Sequence, residues 1–176
     1  MDFVGEKEGN GMNDLARAAL LSNAKKGEIK DLEVQNLKVN GDDRGYLFEV
    51  LRKDNPKFAE FGQVYVVHNK KAYVTRAFHA HNKLVDYFCI VKGSAKFAFV
   101  DARNGSPTYG HLKEVIIGDK SPQLIVVPPG VFHGWMGLED DTILCSVGSE
   151  LYNKENPDEH RVPPNSFGYV WKVEAK

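Results

Sequence analysis

Scarcity narrows the field first. Cysteine occurs twice in 176 residues, as Cys89 and Cys145. Each lies inside an apolar run, Tyr87-Phe88-Cys89-Ile90-Val91 and Ile143-Leu144-Cys145. That leaves no disulfide framework to read, and it suits both thiols to the role of small buried hydrophobes. No stretch approaches the ~20 apolar residues that a bilayer-spanning helix needs. Net charge is only −1, too little to gather nucleic acid or a membrane surface. The start, Met1-Asp2-Phe3-Val4-Gly5-Glu6, has neither the basic end nor the apolar core of a leader peptide, so a cytoplasmic protein is expected. Internal repeats and low-complexity tracts are missing too.

What is present reads as one soluble globular domain, with 42% apolar and 27% charged residues. Residues 1–28 are expected to form an N-terminal extension. It would hold a short helix over Asn13–Lys26, with Leu15, Ala18 and Ala19 in helical period and Gly27 at its C-cap. Residues 29–176 read as an all-β barrel. Candidate strands are Leu32–Val39, Tyr46–Arg52, Gly62–Asn69, Ala72–His79, Asp86–Lys92, Ala95–Asp101, His111–Ile117, Gln123–Val127, Val131–Leu138 and Thr142–Ser149, with a last one over Phe167–Val173. Gly-, Asn- and Pro-rich turns separate them. Ala95, Phe97 and Phe99 alternate with smaller or polar residues, which turns one wall of that strand to a core. Such a barrel is expected to pair as a homodimer, because that covers open sheet edges.

Three of the six histidines fall in two of these strand-like runs: Arg76-Ala77-Phe78-His79-Ala80-His81 and Pro128-Pro129-Gly130-Val131-Phe132-His133-Gly134. Side chains two apart on a strand share a face, so His79 and His81 point the same way. Imidazoles aimed into a barrel act either as a metal cage or as an acid/base set. His79-x-His81 followed by Asp86 and Gly93 resembles the first motif of cupin barrels, with Asp86 where glutamate is usual. Pro128-x-Gly130-x-x-His133 resembles their second motif. In the metal reading His79, His81, Asp86 and His133 hold a divalent ion. Asp86 has the wrong strand parity for this unless the chain turns at Asn82-Lys83.

A longer series of pieces falls in one order: Asp43-Arg44-Gly45-Tyr46-Leu47-Phe48-Glu49, Gln63, Arg76-x-x-His79, Lys83-Leu84-Val85, Val100-Asp101-Ala102-Arg103, Ser106-Pro107-Thr108-Tyr109-Gly110, Pro129-Gly130-x-x-His133-Gly134 and Leu151-Tyr152. From Asp42 to Trp171 that order resembles the dTDP-4-dehydrorhamnose 3,5-epimerase family, cupin-like jelly rolls that work without metal on nucleotide-linked 4-keto sugars. The resemblance implies a double-stranded β-helix barrel that epimerises or keto-isomerises a dTDP-linked 4-keto-6-deoxy sugar in carbohydrate biosynthesis. It implies His79 as base, Tyr152 as the acid on the opposite face, and Lys83 near the developing oxyanion. Arg44, Glu49 and Arg76 match nucleotide and pyrophosphate contacts, with Gln63 also at the substrate, and His133 matches a histidine lining the sugar pocket. Ordinary readings stand beside these: a turn and strand pair for Arg44 and Glu49, a barrel-edge aromatic for Tyr152.

Two departures matter. The family's base histidine is paired with an aspartate in a C-terminal segment, and this chain ends Trp171-Lys172-Val173-Glu174-Ala175-Lys176 without it. The His79-Ala80-His81 form is instead similar to nucleotide-sugar 3,4-ketoisomerases, where His81 can relay protons in place of that aspartate. The expected enzyme needs no cofactor. The alternatives are a metal-dependent cupin enzyme and a non-catalytic nucleotide-sugar-binding barrel. Neither nucleic acid nor membrane is an expected partner.

Overall fold

A computed structural model describes residues 23–173, and their regular structure is almost entirely strand. In chain order the strands are β1 (Lys25–Lys26), β2 (Glu33–Asn36), β3 (Val39–Asp42), β4 (Gly45–Phe48), β5 (Gln63–Asn69), β6 (Thr75–Ala80), β7 (Asp86–Lys92), β8 (Ser94–Asp101), β9 (His111–Gly118), β10 (Gln123–Val127), β11 (Val131–Gly137), β12 (Thr142–Gly148) and β13 (His160–Arg161). One sheet has the order β1-β9-β8-β11-β6-β13, and the facing sheet β2-β10-β7-β12-β5. Together they form a cupin-like jelly roll, from which β3 and β4 stand apart as a hairpin.

The expected strand Leu32–Val39 divides in two. Leu37 N–H bonds to Pro122 O at 3.0 Å where β2 leaves β10, and the chain then turns into the hairpin. The helix expected over Asn13–Lys26 lies outside the described residues up to position 22. Its end is not helical: Lys25 and Lys26 run parallel to His111 and Leu112 of β9. Backbone pairing with a ready sheet edge overrides a weak local period.

The interior lies between the sheets. Ala95, Phe97 and Phe99 are buried there with Phe88, Ile90, Ile125, Val127 and Trp135. The other wall of β8 is buried as well: Ala98 and Val100 pack under Phe78, Phe132, Phe167 and Tyr169. This second layer corrects the strand expected over Phe167–Val173. Residues Ser166–Gly168 make one 3-10 turn and the rest is extended without a ladder partner. The rings of Phe167, Tyr169 and Trp171 instead close on Phe78, with centroids 5.3, 6.0 and 5.5 Å away. Their alternating apolar pattern covers a sheet rather than extending one. Cys89 is buried, and burial, with Cys145 beside it, pushes its thiol up to about 12, so it packs and does not react. Cys145 is half-buried.

Asp101 fastens the loop after β8. Its carboxylate accepts from Arg103 Nε at 2.9 Å, Arg103 Nη2 at 2.8 Å, Ser106 Oγ at 2.7 Å and Thr108 Oγ1 at 2.5 Å. Arg103 and Thr108 then hold the backbone of Lys30. The Asp101/Arg103/Ser106/Thr108 pieces of the family-like order are therefore scaffold.

Candidate active site

His79, in β6, and His81, just past its end, lie on one face of that segment, directed between the sheets. Strand β11 runs beside it, and Gly134 lets the two strands close, since a Cβ there would sit 2.3 Å from that of Ala77. The register sets His133 opposite His79, just before a bulge that precedes Trp135. The two Nε2 atoms are 2.9 Å apart. His133 is sealed in and donates Nδ1–H to Val131 O at 3.0 Å. Its Nε2 therefore accepts, and the shared proton belongs to Nε2 of His79. A neutral His79 then carries its lone pair on Nδ1. Burial, with His81 and Arg161 nearby, pushes His79 down to about 3. His133 is likewise held well below the ordinary histidine value by burial, with His79 and His81 adding.

The parity that strand alternation denies Asp86 is restored by a turn. The Asp158 carboxylate accepts the N–H groups of Asn82, Lys83 and Leu84 at 2.9, 2.8 and 3.1 Å, and the chain re-enters β7 with Asp86 facing the site. Asp86 Oδ2 lies 3.4 Å from His133 Nε2 and 3.5 Å from His81 Nε2, close to both yet without a well-aligned hydrogen bond among the described residues. Burial raises this carboxyl well above its usual value, and Glu159 and Asp158 add to the effect. Burial thus favours the neutral acid at Asp86 over half of an ion pair with His133, whose own charged form burial disfavours. His81 donates Nδ1–H to Asp158 O. One ring nitrogen from each of His79, His81 and His133 falls within 4.8 Å of the others. With Asp86 these are donors that fit a divalent transition metal.

Two cavities open beside His79. One, of about 400 Å³, is walled by His79, His81, Gln63 and the Glu150–Tyr152 stretch. The other, of about 370 Å³, is walled by Arg76, Phe88 and Trp135. Tyr65, His79, Glu159 and Arg161 belong to both. Tyr152 stands exposed at the rim, its N–H on Gln63 Oε1 at 3.2 Å.

The structure therefore gathers His79, His81, Tyr152 and Gln63 at one cavity and Arg76 at its neighbour. Three expectations change. His133 supports His79 instead of lining the pocket: the β6–β11 register sets it beside that ring, on the side away from Arg161, and it is fully buried there. Lys83 is exposed and lines neither cavity; among the described residues its backbone N–H is held by Asp158. Within one chain Arg44 and Glu49 line neither cavity; they lie on and just after the hairpin, paired with Asp42 and Arg52. Asp158, Glu159, Arg161 and Tyr65 were not singled out from sequence. The charged run Asp158-Glu159-His160-Arg161 inside a Pro-rich connection was the available signal, since positioned loops carry function.

This jelly roll sets paired imidazoles and a buried carboxyl between its sheets and a phenol at the rim of the adjoining cavity. Residues 26–176 match the family model described as dTDP-4-dehydrorhamnose 3,5-epimerase, and the chain belongs to that family of epimerases. It is 35% identical over 143 residues to the "Probable low-salt glycan biosynthesis epimerase Agl13" of Haloferax volcanii, covering 77% of this chain and 88% of that protein. It is 32% identical over 153 residues to the spore coat polysaccharide biosynthesis protein SpsL of Bacillus subtilis, covering 84% and 99%. Its fold is similar to that of the dTDP-4-dehydrorhamnose 3,5-epimerase from Bacillus anthracis with TDP and PPi bound (TM-score 0.76, 22% identity, 87% and 91% covered).

Proposed function

We propose that this enzyme epimerises, or shifts the ketone of, a dTDP-linked 4-keto-6-deoxy sugar during polysaccharide or glycoconjugate synthesis. The observation that carries the reading is the hydrogen-bonded His79–His133 pair at the wall of a cavity rimmed by Tyr152. A carbon next to a ketone gives up its proton only as an enolate forms, so the site needs a base, a place for the new charge and a donor on the other face. His79 takes the proton on Nδ1 and becomes an imidazolium that donates Nε2–H to His133. Tyr152 returns a proton from the opposite side. Arg76 and Gln63 hold the nucleotide sugar. The names of the relatives support the pathway, and the TDP and PPi in the Bacillus anthracis protein support the substrate class.

The same reading takes the protein as a cytoplasmic homodimer that needs no metal. Edge strand β5 exposes Val64 and Val66, and the hairpin exposes Tyr46 and Leu47, which supports an interface. Arg44 and Glu49 contact nucleotide only if a second copy brings them to a cavity. No helix among the described residues is long and apolar enough to cross a membrane.

The clustered donors of His79, His81 and His133, with Asp86 Oδ2 3.4–3.5 Å from two of them, favour one second reading, a metal-dependent enzyme on the same barrel. Incubation with dTDP-4-keto-6-deoxyglucose, read by the ring-proton couplings in NMR, tests both. Inverted couplings that persist after chelation are expected. Activity lost to chelation and restored by a divalent metal would replace this reading with the second. Binding without turnover would leave a binding barrel.

A further inference from the structure

Lys83 lines neither cavity, so the enolate oxygen needs another cationic donor. Among the described residues, the cationic side chains lining the two cavities are Arg76 and Arg161. Arg76 lines one of them and spends Nε on Asn69 Oδ1 at 2.8 Å and Nη2 on His68 O at 3.3 Å. Arg161 lines both.

Its place is fixed by the ladder. Strand β13 pairs with β6 so that Arg161 is directly opposite His79, as His133 is on the other side. Directly opposed residues of an antiparallel pair share a face, with Cβ atoms about 4.5–5.5 Å apart. One row, His133–His79–Arg161, therefore crosses the sheet on its cavity side. The backbone beneath it is held firmly. Val162 and Phe78 exchange N–H···O bonds of 3.0 and 3.1 Å, and Asp158 grips the turn after β6. Glu159 takes Nε of Arg161 at 2.9 Å and Nη2 at 2.8 Å. Nη1 has no partner among the described residues, so one edge of a pre-oriented fork stays open.

We propose that Arg161 is the oxyanion-binding residue of the reaction, its guanidinium meeting the ketone oxygen of the sugar. The assignment rests on the epimerase reading. As His79 removes the proton from the adjacent carbon, the C–H electron pair becomes a C=C bond and the C=O π pair moves onto oxygen. Nη1–H of Arg161 donates to that oxygen. Return of a proton to carbon re-forms C–H and C=O, and the composition of the sugar is unchanged. The fork suits this role because it is always charged and is oriented by Glu159, while its side chain, three-quarters exposed, leaves the open edge accessible to substrate.

The test compares the native protein with Arg161→Ala and Arg161→Lys in heavy water, at saturating dTDP-4-keto-6-deoxyglucose. Deuterium uptake at the carbon beside the ketone gives the rate, and calorimetry gives the affinity for dTDP. Loss of one oxyanion donor is worth about 10²–10³-fold in kcat. Arg161→Ala should lose exchange on that scale with dTDP affinity intact, and added guanidinium should restore part of the rate. The lysine should restore part of it too, having charge without the fork; this conservative variant carries the test if the alanine unfolds. Full exchange in a folded variant overturns the assignment and leaves the epimerase reading standing. So does weakened dTDP binding with unchanged kcat, which marks a phosphate contact. A native protein with no exchange overturns both.

Discussion

A histidine that takes a proton from carbon near pH 7 must be neutral beforehand and must place a positive charge afterwards. His79 meets the first condition because burial, His81 and Arg161 push it down to about 3. The second is met by His133, whose Nε2 already accepts from His79 at 2.9 Å and whose Nδ1–H is anchored on Val131 O. The resemblance reads His81 as a stand-in for the aspartate that partners the family's base histidine. The geometry gives that place to His133, while His81 faces Asp86 and is oriented by Asp158. His133→Ala should therefore lower turnover about 10²-fold or more, and His81→Ala less, in parallel steady-state assays. Equal losses would return His81 to the relay. Because the free enzyme's base is depressed, the acidic limb of kcat/KM should fall well below pH 6.5 instead of near it, as a pH–rate profile will show. Tyr152→Phe should keep part of the isotope exchange yet lose net inversion, since abstraction and return can still occur on one face.

Strands were the legible elements, because period-2 alternation and Gly/Pro turns report directly on a sheet with one buried wall. That pattern is silent about what covers the other wall, which is why Phe167–Val173 reads as a strand when it is the lid over Ala98 and Val100. It is also silent about strand order. The pairing of two-residue β13 with β6, which sets Arg161 beside His79, leaves no periodic trace at all. Spacing found His79, His81, Asp86 and His133. The resemblance also implied a role for Lys83, whose side chain is exposed and lines neither cavity. The loop held by Asp101 offers a clean energetic test. Burial alone would raise this carboxyl, but bonds from Arg103, Thr108 and Ser106 outweigh it and bring it down to about 2. A depressed folded value stabilises above the unfolded 3.8 and is lost as pH falls through about 2. The shift corresponds to about 2 kcal/mol at neutral pH. Asp101→Asn should cost about that much at pH 7 and almost nothing near pH 2, measured by denaturant unfolding at both; a pH-independent cost would assign the effect to packing.

For the whole molecule, the buried site couples stability to acid. His79 and His133 stay neutral in the fold, so below pH 6.5 the unfolded chain binds protons that the native one does not, and stability falls as pH drops. Asp86 acts in the opposite sense: its raised value stabilises below 3.8, and that contribution is lost as pH rises through the folded value. Two groups oppose one, so the melting temperature should be lower at pH 5 than at pH 7.5. Asp86→Asn should raise it at pH 7.5 by removing a carboxyl that is buried at a cost. A higher melting temperature at pH 5 would mean that the imidazoles are charged in the fold. Mass in solution, read by ultracentrifugation, should be that of a dimer joined through apolar surface such as β5 and the β3–β4 hairpin; a monomer would leave Arg44 and Glu49 without a ligand. The central claim, that His79 draws a proton from the carbon beside a sugar ketone, is tested most directly by mass spectrometry of dTDP-4-keto-6-deoxyglucose held with the protein in heavy water. The expected result is deuterium at that carbon with the native protein and none above background with His79→Ala. Equal uptake with both proteins, or none with either, contradicts it.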